Sequence, residues 1–77
     1  MARIVEFEPA EMDRMRLHDD VSAKIYFQEV DGRVLMQIST FGRDTREMPG
    51  KLSQTIQLDR EAASQLFAMM KREFGFQ

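Results

Sequence analysis

Seventy-seven residues without a cysteine describe a single domain, 1–77, with neither a disulfide framework nor a thiolate metal site. A formal net charge of −2, with 31% of residues charged, argues against strong sequence-independent binding to duplex DNA, though a locally basic face stays open. No apolar run approaches the roughly 20 residues of a membrane span, and the first residues lack the apolar stretch of a signal peptide, so a cytoplasmic protein is expected.

Residues 3–8 read as a short strand: Ile4, Val5 and Phe7 favour extended backbone and Pro9 stops it. Alternation sets Val5 and Phe7 on one side, Ile4 and Glu6 on the other. Residues 9–20 divide between two readings. Pro9 suits the first position of a short helix, with Glu11 near its positive end, which would carry Met12, Met15 and Leu17 to the core. The other reading is an irregular connection held by the same methionines. Asp19 and Asp20 then form a polar turn.

The stretch from Ala23 to Phe41 is the organising element. Two runs rich in β-branched and aromatic residues flank Asp31-Gly32, the pair a type I′ hairpin turn asks for because both central positions need positive φ. Read with period two, Ala23, Ile25 and Phe27 share a face with Val34, Met36 and Ile38, and this face is a core. The opposite face carries Lys24, Tyr26 and Gln28 beside Arg33, Leu35, Gln37, Ser39 and Phe41. It is too polar for a core and too aromatic for plain solvent.

Residues 42–51 form a mixed-charge loop, longer than most hairpin connections, with Pro49-Gly50 placed for a type II turn. Its Arg43, Arg46 and Lys51 stand against Asp44 and Glu47. Residues 52–58 alternate as a strand: Leu52, Ile56 and Leu58 are expected inside, and Ser53, Thr55 and Gln57 outside. The last element is an amphipathic helix. Asp59 caps it, Glu61 and the pair Lys71 and Arg72 suit its two ends, and Gly75 closes it in the left-handed conformation. Ala63, Leu66, Phe67, Met70 and Phe74 make the stripe that covers one sheet face.

The fold class is therefore α+β: an antiparallel sheet of three to four strands followed by one C-terminal helix packed on one face. A chain this short usually needs a staple, and with disulfides excluded a homodimer is expected.

Little in the sequence supports catalysis. His18 is the single histidine, and His18-Asp19-Asp20 reads as a surface turn before it reads as a metal site, since adjacent residues point apart. None of the four glycines opens a phosphate-binding pattern ahead of a helix. No enzyme activity, cofactor or metal is expected. The polar sheet face is the better candidate, because aromatics on which bases stack, with cations that follow a backbone, are what single-stranded nucleic acid requires. A protein interface draws on the same residue types, so a protein partner stays open beside it.

From Arg33 onward the chain resembles the single-stranded-DNA-binding domain of the transcriptional positive cofactor four family. The resemblance lies in the strand Val-Leu-Met-Gln-Ile-Ser, the charged loop ending Glu-Met-Pro-Gly-Lys, the strand ending Ile-Gln-Leu and the helix opening Asp-Arg-Glu-Ala, about half the chain. It implies a curved antiparallel sheet with a following helix, a homodimer, and single-stranded DNA carried across the sheets in a transcriptional role. By position it implies contacts from Lys24, Tyr26, Arg33, Phe41, Arg43, Arg46 and Lys51. The slightly acidic net charge and an insertion at Gln54-Thr55 depart from the family pattern.

Overall fold

A computed structural model describes residues 1–42 and 52–77. Four strands, β1 (Ala2–Ile4), β2 (Ala23–Val30), β3 (Arg33–Phe41) and β4 (Leu52–Leu58), precede one helix, α1 (Arg60–Phe74). They form one sheet in the order β1-β4-β3-β2. The α+β architecture expected from the sequence is what the chain adopts. The loop cations Arg43, Arg46 and Lys51, and the Pro49-Gly50 turn, lie outside the described residues.

The hairpin forms for the reason its turn suggests. Asp31 and Gly32 hold φ of 52° and 79°, both in the left-handed region, and the strands run antiparallel from Val30↔Arg33 to Ala23↔Thr40. β4 continues the antiparallel pairing on the other side of β3, with Met36↔Leu58 and Ile38↔Ile56. One apolar face therefore runs through Ile25, Phe27, Val34, Met36, Ile38, Ile56 and Leu58, but it is a core only at its Leu58 end. Ile25 and Phe27 on β2 and Val34 beside the turn are more than half exposed, because the helix that follows lies over β3 and β4.

Several expectations are corrected. The first strand ends at Ile4 rather than Glu8, and it joins β4 in parallel, Ala2↔Ile56 to Ile4↔Leu58. Residues 9–20 form no helix, and Met12, Met15 and Leu17 are all exposed rather than packed. In the long connection from β1 to β2, the Phe7 backbone N–H donates to Gln65 Oε1 of the helix at 2.8 Å. Leu52 lies on the polar face, not inside, because a bulge shifts the register between Thr40↔Gln54 and Phe41↔Leu52. A one-residue shift moves a side chain to the other face of a pleated sheet.

α1 is capped at both ends as read. Asp59 accepts from the Ala62 N–H at 3.3 Å, and Gly75 closes the helix at φ 72°. The helix lies over β3 and β4. Ala62 is buried and Ala63, Leu66, Met69 and Met70 are half-buried, with Ala62 and Leu58 at 0% and 1% exposure. Phe67 and Phe74, read as core, are exposed. The apolar stripe is wider than the strip of sheet beneath it. Among the described residues no helix is long and apolar enough to cross a membrane.

Candidate nucleic-acid interface

The polar face is built by register. Lys24↔Ser39, Tyr26↔Gln37 and Gln28↔Leu35 join β2 to β3, while Gln37↔Gln57 and Ser39↔Thr55 join β3 to β4. Paired residues project to the same side, so these five pairs share one surface. A depression of about 400 Å³ lies on it, lined by Tyr26, Leu35, Gln37, Phe41, Leu52 and Gln57 among others.

Its floor is a chain of side-chain hydrogen bonds. Gln57 Nε2 donates to Gln37 Oε1 at 3.0 Å, Gln37 Nε2 donates to Ser39 Oγ at 3.3 Å, and Ser39 Oγ stands 3.4 Å from Thr55 Oγ1. Ser39 and Thr55 are buried. The chain fixes both glutamine side chains, which leaves the donor and acceptor pattern of the floor pre-set rather than mobile.

Aromatic and cationic groups stand at one side of this floor. Tyr26 is 46% exposed, so a large part of its ring is open to a partner. Lys24 Nζ lies 5.2 Å from the centroid of the Phe41 ring, within cation–π range. The two residues reach each other diagonally across the β2–β3 pair, since Lys24 is paired with Ser39 and Phe41 is two residues on.

Of the residues singled out from sequence, Lys24, Tyr26 and Phe41 come together here. Arg33 does not. It stands beside the hairpin turn and borders a separate groove of about 770 Å³ between the hairpin and the start of α1, with Phe27, Val34, Asp59 and Arg60. Arg3 is the residue that sequence reading missed. Its partner in register is Gln57, so it brings a guanidinium to the β1 side of the polar face, where it also stands 3.7 Å from Asp59. Only the parallel pairing of β1 with β4 puts it there, and nothing local to residues 2–4 signals that pairing.

Chemically, the surface can stack planar rings on Tyr26 and Phe41, offer amide donors and acceptors from Gln37 and Gln57, and attract anions toward Lys24 and Arg3. No family model matches this chain, and neither a curated protein nor a solved structure matches it.

Proposed function

We propose that the chain is a small, non-enzymatic, homodimeric cytoplasmic protein that binds single-stranded nucleic acid across its polar sheet face. The observation that carries this reading is the cluster of Tyr26, Phe41 and Lys24 beside an amide-lined floor. Bases stack on exposed rings without sequence preference, each contributing about 1–3 kcal/mol, while cations beside the rings meet the phosphates. The resemblance to the positive cofactor four domains supports the same surface and a role in regulating transcription.

The test is fluorescence anisotropy with a labelled mixed-sequence oligonucleotide, single-stranded and duplex, at low and moderate salt. The expected result is single-strand binding that weakens as salt rises and exceeds duplex binding. Absence of binding at tens of micromolar protein, a range where even non-specific contacts register, would overturn the reading.

A protein partner is the second reading, and one observation favours it. Leu35 and Leu52 line the same depression as Tyr26 and Phe41, giving the surface an apolar component that a protein side chain would fill. Binding of this kind would be nearly indifferent to salt and lost on Tyr26→Ala without any oligonucleotide affinity.

A further inference from the structure

We infer that two copies of this chain join edge to edge through β2, antiparallel about Tyr26, making one eight-stranded sheet. This deepens the homodimer part of the reading above and rests on no ligand.

β2 is a free edge. It spans eight residues, all exposed, and β3 is its one strand partner among the described residues. Such an edge is a template for another strand unless proline, a bulge or inward-pointing charge blunts it. β2 has neither proline nor bulge, and its one charge on the apolar face, Glu29, stands at the end of the strand beside the turn.

The hydrogen-bonding parity follows from the turn. Val30 and Arg33 flank a two-residue turn, so their backbone groups face each other. Alternation then aims Gln28, Tyr26 and Lys24 at β3 and leaves Ala23, Ile25, Phe27 and Glu29 with N–H and C=O directed at the open edge. A twofold axis through Tyr26 sets Ile25 opposite Phe27 of the second copy, twice over, and Ala23 opposite Glu29. On the other face it sets Tyr26 opposite its own copy and Lys24 opposite Gln28. No like charges meet. Moving the axis to Phe27 places Ile25 against Glu29 and Lys24 against Val30, which is a poorer match on both faces.

The helices make the same point from above. α1 sits over β3 and β4, so in this arrangement the two helix axes stand about four strand spacings apart, roughly 19 Å. Phe67 continues the row of Ala63 and Ser64 that walls the groove over Phe27 and Val34. At 64% and 69% exposure, Phe67 and Phe27 have little to pack against in one copy. Between two helices they fill a shared trough.

The native chain lacks cysteine, which makes cross-linking a clean test. Tyr26 and its copy form a non-hydrogen-bonded pair with Cα atoms about 4.5 Å apart, inside disulfide range, whereas two Gln28 residues lie roughly 14 Å apart, outside it. Under mild oxidation without nucleic acid, Tyr26→Cys is expected to link into dimers at least about tenfold more than Gln28→Cys. If Tyr26→Cys fails to fold by circular dichroism, mixing Lys24→Cys with Gln28→Cys reads the same register through a mixed disulfide. Phe27→Glu is expected to sediment as a folded monomer. A dimer that gives neither disulfide overturns this arrangement while leaving a homodimer standing. A native monomer at micromolar concentration overturns both, and neither result bears on oligonucleotide binding.

Discussion

The ammonium of Lys24 sits over the ring of Phe41, 5.2 Å from its centroid, so the cation and the aromatic surface of the candidate site are already in contact with each other. A base that stacks on Phe41 from that side must displace Lys24, which then becomes free to meet the phosphate of the same nucleotide. Phe41→Leu keeps apolar bulk and removes the stacking surface. It is expected to weaken single-strand binding about tenfold, the value of one modest stacking contact, with anisotropy as the measurement. Lys24→Gln should weaken binding less and flatten its salt dependence by about one phosphate contact. Equal losses in both variants with unchanged salt dependence would contradict this division of roles.

The hydroxyl of Ser39 stands between Gln37 and Thr55, buried on the polar face. Ser39→Ala leaves a buried threonine hydroxyl and a part-buried glutamine amide each short of a partner. The expected cost is about 1–3 kcal/mol in urea unfolding. Adding Thr55→Val removes the other orphaned hydroxyl, so the double variant should lose less than the two single losses combined. Strict additivity would show that the hydroxyl pair carries no coupling.

Asp59 has two roles that substitution can separate. Its carboxylate caps α1 through Ala62 N–H, and it also stands 3.7 Å from the partly exposed Arg3 guanidinium. Asp59→Asn keeps a capping oxygen and loses the ion pair, so stability should fall by less than about 0.5 kcal/mol, as for an exposed pair. Asp59→Ala loses the cap as well, at about 1 kcal/mol. Denaturation midpoints compared across the two variants read the difference, and similar losses would assign the stabilisation to Arg3 instead.

A Cβ added at Gly32 meets nothing within 4 Å, yet the residue sits at φ 79°. Gly32→Ala therefore carries no steric clash and only the backbone cost of the left-handed region, about 1–2 kcal/mol. Because β3 is the one strand within the chain that holds β2 among the described residues, hydrogen exchange should accelerate along β2 more than along β4.

Local chemistry was legible and non-local pairing was not. The hairpin and the helix were readable to the residue because Asp31-Gly32, Asp59 and Gly75 each act on their immediate neighbours. Alternation alone put Leu52 inside, since a bulge between Thr40 and Phe41 leaves no mark in the hydrophobic pattern of β4. Helical spacing found Ala63, Leu66 and Met70, which are half-buried, but it also put the exposed Phe67 and Phe74 in the stripe and left out Ala62 and Met69. Which row is buried depends on how much sheet lies beneath, and β2 is too far out to be covered. Pro9 and Glu11 favoured a helix start, but Met12, Met15 and Leu17 are exposed, and a short helix with no apolar face packed on the fold is marginal in water. Of the candidate site, Lys24, Tyr26 and Phe41 followed from period two, whereas Arg3 required knowledge of the parallel strand.

That parallel strand also sets an order of events during synthesis. Ala2 waits for Ile56, so β1 has no partner until more than fifty further residues have been added. At about 5–20 residues per second that is a delay of seconds, while the β2–β3 hairpin needs only microseconds. The nascent chain thus holds a finished hairpin with both long edges bare before β4 and then β1 arrive. Arg3 reaches the polar face last of all.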